Sequence, residues 1–83
     1  MQHITRTPKQ IGDAVRRQRR RLGLSQSTIG EQVQMRQATI SALETGQGDT
    51  QLSTLCDILA ALGLELVVRT RTTSSPSDME ELF

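Results

Sequence analysis

The 83-residue sequence contains no tryptophan and no tyrosine, and its only phenylalanine is the last residue. The core must therefore be built from aliphatic side chains. A chain of this length buries only about 60–65% of the surface that its unfolded form exposes. The single cysteine, Cys56, cannot form a disulfide within the chain. Because an isolated copy is expected to be marginally stable, association with a second copy is the usual way to add buried surface.

Groups that carry enzyme chemistry are equally scarce. The only histidine, His3, stands near the N-terminus, which leaves no residues for a Cys/His metal site or a histidine-based triad. No glycine-rich phosphate loop is present. The longest apolar stretch, Ile58 to Val68, contains Glu65 and is too short to span a bilayer, and no signal peptide is recognisable. We therefore expect a soluble cytoplasmic protein that is not an enzyme and holds no metal or cofactor.

Positive charge is concentrated in the first part of the chain. Residues 1–36 carry eight basic and two acidic side chains, whereas residues 37–83 carry two basic and seven acidic ones. The net charge of +1 hides this asymmetry. A basic half is typical of proteins that bind a polyanion, while the acidic C-terminal part indicates a different kind of contact.

Capping residues and apolar spacing predict four helices. They run from Pro8 towards Gly23, from Gln26 to Val33, from Gln37 to Glu44 and from Thr50 towards Gly63, with Thr7, Ser25 and Thr50 as N-caps. Residues at spacings of three and four are expected to face the core. They are Ile11, Ala14, Val15, Leu22, Ile29, Val33, Ile40, Leu43, Leu52, Leu55, Cys56, Ile58, Leu59 and Leu62.

The helical spacing changes to alternation after Gly63. Leu64, Leu66 and Val68 alternate with residues 65, 67 and 69, which predicts a β-strand. A lone strand leaves both hydrogen-bonding edges unpaired and is not stable by itself. We expect it to pair with the same strand of a second copy, so that Leu64, Leu66 and Val68 form dimer contacts.

The second and third predicted helices are joined by only three residues, as in a helix-turn-helix. Counted from Gln26, apolar residues occupy the fourth, eighth, tenth, fifteenth and eighteenth positions of the motif. These residues are Ile29, Val33, Met35, Ile40 and Leu43. Gly30 occupies the fifth position, where the two helices must approach closely. Generic helical hairpins reproduce several of these matches, but all six together favour a helix-turn-helix.

From Ile11 to Leu66 the sequence resembles the Cro/CI-type (Xre) helix-turn-helix family of bacterial and phage repressors. The residues that carry the resemblance are Arg19, Gly23-Leu24-Ser25-Gln26, Thr39-Ile40-Ser41, Glu44, Gly46, Leu52, Leu55, Leu62 and Gly63. Within that family, residues 36–41 followed by a C-terminal strand are most similar to HipB-type antitoxins.

This resemblance implies a mainly α fold, a compact domain of four to five helices with one C-terminal β-strand that pairs across a homodimer. The domain would span residues 8–71, after an N-terminal arm at residues 1–7 and before a disordered acidic tail at residues 72–83. The resemblance further implies a transcriptional repressor that binds palindromic operator DNA, represses its own operon and neutralises a HipA-type serine/threonine kinase toxin.

Three positions depart from the family pattern. Gln34 stands where the turn usually has glycine, and a non-glycine residue in the left-handed region costs about 1 kcal/mol. Gln18 replaces an expected apolar residue, and Arg36 replaces a frequent serine cap.

The start of the third helix carries the candidates for base contact. A glutamine amide can bond N6 and N7 of adenine, and Ala38 can contact a thymine methyl group. The candidates are Arg36, Gln37, Ala38 and Ser41, with Gln37 foremost. The alternative for each of them is a solvated polar helix face.

Phosphate contacts are expected from a second group of residues. Gln26 begins the second helix, where backbone N–H groups and the helix dipole favour an anion. The full set is Ser25, Gln26, Thr39, Arg16 and Arg20, although a solubilising role is an equal alternative for the arginines. The family resemblance also implies a pairing of Gln26 with Gln37 and an ion pair between Arg19 and Glu44.

The tail ends in two acidic residues followed by Leu82 and Phe83. An acidic segment with a terminal aromatic anchor can serve as a docking peptide for the toxin. The alternative is an inert tail or a handle for proteolysis.

Two other functions stay open at this point. One is a phage or plasmid Cro-like repressor without a toxin partner, which the absence of a neighbouring kinase gene would favour. The other is a helical adaptor whose arginine-rich face binds an acidic protein. Salt-dependent, sequence-selective DNA binding would exclude the adaptor.

Overall fold

The computed structural model describes residues 3–71. This part of the chain contains four helices, α1 (Pro8–Arg21), α2 (Gln26–Val33), α3 (Gln37–Thr45) and α4 (Leu52–Ala61). The mainly helical fold class is thereby confirmed. The predicted tail, with Leu82 and Phe83, lies outside the described residues.

Side-chain caps begin the first two helices where the sequence predicts them. The Thr7 hydroxyl oxygen accepts a hydrogen bond from the backbone N–H of Gln10 at 3.1 Å. The Ser25 hydroxyl oxygen accepts one from the backbone N–H of Thr28 at 3.0 Å. Each bond satisfies one of the N–H groups that the first turn of a helix leaves without a partner. The caps thus set where α1 and α2 begin.

The other two helices begin without a side-chain cap. Arg36 precedes α3 and makes no capping hydrogen bond, in agreement with its replacement of a serine. The prediction of Thr50 as the cap of α4 is wrong, because Gln51 occupies that position and also makes no side-chain bond. The helix begins one residue later than the pattern indicated.

The core lies between three packed pairs of helices, in which α1 contacts α3, and α2 contacts both α3 and α4. Its buried apolar side chains are all aliphatic, as the lack of aromatic residues requires. They are Val15, Ile29, Ile40, Leu43, Ile58, Leu59 and Leu62, with Ile11, Leu24, Val33, Leu55 and Leu64 partly buried against them.

Four residues that the spacing assigned to the apolar interior are exposed. Leu22 is 48%, Leu52 68% and Met35 37% exposed, and Cys56 is exposed as well. The first three lie at helix ends or in the turn, where no neighbouring helix covers them. Cys56 falls just outside the arc of α4 that packs on the core. The prediction that Cys56 is a core packing residue is therefore wrong.

The turn between α2 and α3 depends on two backbone features. Gln34 has φ 59° and ψ 43°, the left-handed conformation expected at this position. At Gly30, a Cβ atom would lie 2.6 Å from the carbonyl oxygen of Met35. Only glycine allows the chain to pass so close, and this contact fixes the angle between α2 and α3.

A second close approach, which the sequence did not predict, joins α1 to α3. A Cβ atom at Gly12 would lie 2.7 Å from the carbonyl oxygen of Glu44 and would also overlap the carbonyl oxygen of Leu43. The backbones of the two helices are therefore in direct contact. This contact brings the α1 side chains within reach of the end of α3.

Gln18, which replaces an apolar residue of the family pattern, is buried on α1. Its side-chain N–H donates to the carbonyl oxygen of Leu62 at 2.9 Å. The bond satisfies a carbonyl at the end of α4 and links α1 to that helix. The buried side-chain oxygen of Gln18 has no hydrogen-bond partner among residues 3–71.

No strand occurs within residues 3–71, and residues 64–71 follow α4 without regular structure. Leu64 packs against the core, whereas Leu66 is 52% and Val68 91% exposed. Val67, which the alternation placed on the opposite face, is 61% exposed. These residues border an open groove of about 920 Å³ formed with α1, α4 and the N-terminal arm. A strand needs a neighbouring strand, and the described part of a single chain provides none.

The contact at Gly12 generates a prediction for Gly12→Ala. Helix propensity favours alanine by about 1 kcal/mol, but the added methyl group would separate α1 from α3. We expect a net loss of about 1–3 kcal/mol in the free energy of unfolding, measured by urea denaturation. Arg17→Ala, an exposed change on the same helix, should stay within about 0.5 kcal/mol of the unchanged protein. Equal stability of the two variants would contradict the close packing.

Candidate nucleic-acid interface

The first residues of α2 and α3 meet at one surface of the molecule. Gln26 begins α2 and Gln37 begins α3. The side-chain N–H of Gln37 donates to the side-chain oxygen of Gln26 at 3.0 Å. Gln37 is exposed and Gln26 is half-buried. The pairing implied by the family resemblance is thus present, with Gln37 on the solvent side.

The other candidates for base contact surround Gln37. Arg36 and Ala38, its neighbours in the chain, are exposed. Ser41 lies one helical turn further along α3 and is half-buried. The structure therefore brings these four residues together at the N-terminal end of α3, with the first three most accessible.

The candidates for phosphate contact lie on three helices. Ser25, at the N-cap of α2, is exposed, whereas Thr39 on α3 is half-buried. Arg16 and Arg20 are exposed on α1 and, at a spacing of four residues, project from the same face of the helix. The charge of Arg16 contributes to lowering the pKa of Glu44.

Arg19 and Glu44 form a bidentate ion pair beneath this surface. The Arg19 Nε–H donates to Glu44 Oε2 at 2.6 Å, and the Nη2–H donates to Oε1 at 2.9 Å. The Nη1–H donates to the carbonyl oxygen of Leu24 at 2.9 Å. The side chains of Arg19 and Glu44 are 11% and 2% exposed. One guanidinium thus joins α1, the segment before α2 and the end of α3.

The ion pair keeps both partners charged. Burial raises the pKa of Glu44, but hydrogen bonds from Arg19 and Gln26 and the charges of Arg19 and Arg16 outweigh burial and hold that pKa below its ordinary value. The hydrogen bond to Glu44 raises the pKa of Arg19, against an opposing effect of burial. Loss of one partner would leave the other charge buried alone, which costs about 3–5 kcal/mol.

A further hydrogen bond links the ion pair to the paired glutamines. The side-chain N–H of Gln26 donates to Glu44 Oε1 at 3.2 Å. A continuous chain of hydrogen bonds therefore runs from Arg19 through Glu44 and Gln26 to Gln37. The family resemblance implied the pairs at the two ends of this series of bonds, but the sequence did not predict the bond between Gln26 and Glu44. Helical spacing relates residues on one helix, and this bond joins the start of one helix to the end of another.

The described residues offer no basis for a metal centre or a membrane span. No group of three or more His, Cys, Asp or Glu residues in the range 3–71 could hold a metal ion. None of the helices in that range is long and apolar enough to cross a membrane. The polar and basic surface around Gln37 is suited to bind the edge of a base and the neighbouring phosphates.

The lowered pKa of Glu44 predicts stability that is lost in acid. Since the folded pKa lies below the unfolded one, Glu44 contributes its full stabilisation above the ordinary value of about 4.3. That contribution falls as the pH drops from there through the folded pKa. Urea denaturation at a series of pH values should show this decrease.

Glu44→Gln provides the control for this measurement, because it removes the titrating group. The variant should be less stable at pH 7 and should depend less on pH below about 4.3. Identical pH dependence in the two proteins would show that Glu44 is not the group responsible.

Comparison with known proteins places this chain in a family. Residues 10–72 match the model of a helix-turn-helix domain family. Antitoxin HipB of Escherichia coli (strain K12) is 31% identical over 75 residues, which cover 90% of this chain and 85% of that protein.

Solved structures agree with this relationship. A HipB variant in complex with an O2 20mer has a TM-score of 0.78 and 26% identity, and covers 87% of this chain and 100% of that chain. HipB in a HipA-HipB-O2-O3 complex has a TM-score of 0.75 and 30% identity, with the same coverage. Together with the paired glutamines and the turn at Gln34, these similarities show that the chain belongs to the Cro/CI-type (Xre) helix-turn-helix family and is HipB-like.

Proposed function

We propose that this chain is a sequence-specific DNA-binding repressor and the antitoxin of a HipA-type kinase toxin-antitoxin module. It represses its own operon and neutralises the toxin by forming a complex with it. The proposal of DNA binding rests on Gln37, which is exposed at the start of α3 and whose side chain is hydrogen-bonded to Gln26. The antitoxin part rests on relatives that are named antitoxin HipB and on the solved complex of HipB with HipA.

The N-terminal end of α3 enters the major groove of the operator. Gln37 bonds the edge of an adenine, and Ala38 contacts a thymine methyl group. Arg36 reaches a guanine or a phosphate, and Ser41 contacts a base one turn further along the helix. The exposure of Arg36, Gln37 and Ala38 supports these roles.

Phosphate contacts orient the domain on the duplex. The N-terminus of α2, with Ser25 and Gln26, faces one phosphate, because its free N–H groups and the helix dipole favour an anion. Thr39, Arg16 and Arg20 contact others. Neutralising phosphates releases bound counterions, so the affinity falls steeply as salt concentration rises.

The repressor acts as a homodimer. Leu64, Leu66 and Val68 contribute to a strand that pairs with its twin, and the exposure of Leu66 and Val68 beside an open groove leaves apolar surface for a second copy to cover. A two-fold axis then places two α3 helices in half-sites of a palindrome about 34 Å apart or a multiple of that. Two linked DNA-binding domains bind the operator more tightly than one domain does.

The remaining segments have separate roles. Residues 1–7 form an arm, residues 8–71 bind DNA and dimerise, and the acidic segment 72–83 contacts the toxin through Leu82 and Phe83. The protein works without a cofactor in the bacterial cytoplasm, at the nucleoid.

The role of Gln37 predicts the behaviour of Gln37→Ala. The variant should fold normally, because the side chain is exposed, yet lose about 1–3 kcal/mol of operator-binding free energy and relax its specificity at one base pair. Fluorescence anisotropy with operator and scrambled duplexes measures both effects. Gln32→Ala, an exposed glutamine on α2, is the matched control and should bind normally. Equal losses of Gln37→Ala on both duplexes would show that Gln37 does not read a base.

The proposed dimer predicts how Leu66→Pro changes the oligomeric state and operator binding. Proline removes a backbone N–H from the strand and an apolar side chain from the interface. We expect this variant to sediment as a monomer and to bind the operator poorly, whereas Thr70→Pro, beyond the predicted strand, should remain dimeric. Sedimentation of the unchanged protein as a monomer at micromolar concentration would contradict the proposed assembly.

A further inference from the structure

We propose that Glu44 sets the hydrogen-bonding direction of Gln37 through Gln26, and thereby makes Gln37 select adenine over guanine. Glu44 touches no base in this account and acts as a positioning residue. The inference rests on the proposed function, because it needs Gln37 to face a base pair.

The first step is the contact between Glu44 and Gln26. An ionised carboxylate can only accept hydrogen bonds, whereas a glutamine amide has a donor end and an acceptor end. Glu44 is buried, paired with Arg19, and accepts from Gln26 Nε2 at 3.2 Å. The reversed amide would place the Gln26 oxygen against a carboxylate oxygen, so Gln26 is confined to one orientation.

The second step transfers this constraint to Gln37. With its nitrogen directed to Glu44, Gln26 presents its oxygen to Gln37. The Gln37 amide must therefore offer its nitrogen, and Nε2 donates to Gln26 Oε1 at 3.0 Å. The directions of both hydrogen bonds, from Gln26 to Glu44 and from Gln37 to Gln26, therefore follow from the charge of Glu44.

The third step concerns the hydrogen-bonding groups of the Gln37 side chain that remain available to DNA. One N–H and the side-chain oxygen remain unused, which gives one donor beside one acceptor. Adenine presents the complementary N7 acceptor and N6 donor in the major groove, whereas guanine presents two acceptors, N7 and O6. A reversed Gln37 amide would offer two donors and would fit guanine. Glu44 thus excludes the guanine-binding orientation.

The lowered pKa of Glu44 supports this argument, because the carboxylate stays ionised at neutral pH and cannot become a donor. Arg19 maintains that ionised state by donating two N–H groups to the carboxylate, one to each oxygen.

Glu44→Gln gives a result that a purely structural role does not predict. Arg19 Nη2 and Gln26 donate to the same oxygen, Oε1, so an amide at position 44 can present either its oxygen or its nitrogen to them. Gln26 is then no longer confined to one orientation, and the Gln37 amide can adopt both directions. The preference for adenine over guanine should therefore fall, whereas simple destabilisation would weaken binding to both bases equally.

The experiment compares operator duplexes that differ only at the base pair where Gln37→Ala relaxes specificity. Anisotropy titrations of the full chain, with circular dichroism to verify folding, give the ratio of the two affinities. The unchanged protein should prefer adenine by about tenfold or more. Glu44→Gln should reduce this preference. Gln26→Leu leaves the ion pair intact but removes the hydrogen bonds that link Glu44 to Gln37, so the preference for adenine should fall to within about twofold. Gln32→Leu is the matched control.

A double variant provides a rescue test. Gln26→Glu combined with Glu44→Gln moves the carboxylate to position 26, where it accepts from the amide at position 44 and from Gln37. The adenine preference should return, although the added charge weakens binding to all DNA.

An unchanged preference in folded Glu44→Gln, or in Gln26→Leu if the first variant does not fold, would overturn this inference while leaving DNA binding intact. Failure of the unchanged protein to distinguish any duplex would instead overturn the proposed function.

Discussion

The rest of the structure depends on the buried ion pair between Arg19 and Glu44. Its two short hydrogen bonds join α1 to the end of α3, and the third bond of Arg19, to the Leu24 carbonyl oxygen, holds the segment that leads into α2. Gly12 allows the backbones of α1 and α3 to approach closely enough for this contact. A small aliphatic core leaves the relative positions of three helices open to variation, and a directional charged contact restricts them.

The same pair connects the packing of the helices to the proposed base-contacting surface. Glu44 also accepts from Gln26, which in turn accepts from Gln37, so the group that ties the helices together lies two hydrogen bonds from the exposed side chain on α3. A binding surface held by such contacts is already ordered before the ligand arrives, which reduces the entropy lost on binding. Stability and base selection are therefore expected to respond together to changes at Glu44.

The helices and the exposed N-terminal end of α3 could be predicted because their signals are local. Thr7 and Ser25 cap helices from neighbouring positions. The prediction that Leu52 and Cys56 face the core is wrong, because spacing defines one face of a helix but not how much of that face a neighbouring helix covers. The contact at Gly12 and the bond from Gln26 to Glu44 depend on distances between helices, which no local pattern contains. The strand around Leu66 needs a second chain, and its pairing stays a prediction.

The most direct test of the DNA-binding antitoxin account is a comparison of two duplexes. One carries the promoter region of the gene for this protein, and the other has the same composition in scrambled order. Titration of the unchanged protein at two salt concentrations should show tighter binding to the promoter by about 10³-fold or more, with both affinities falling as salt rises. Equal affinity for the two duplexes, or no binding to either, would contradict the account.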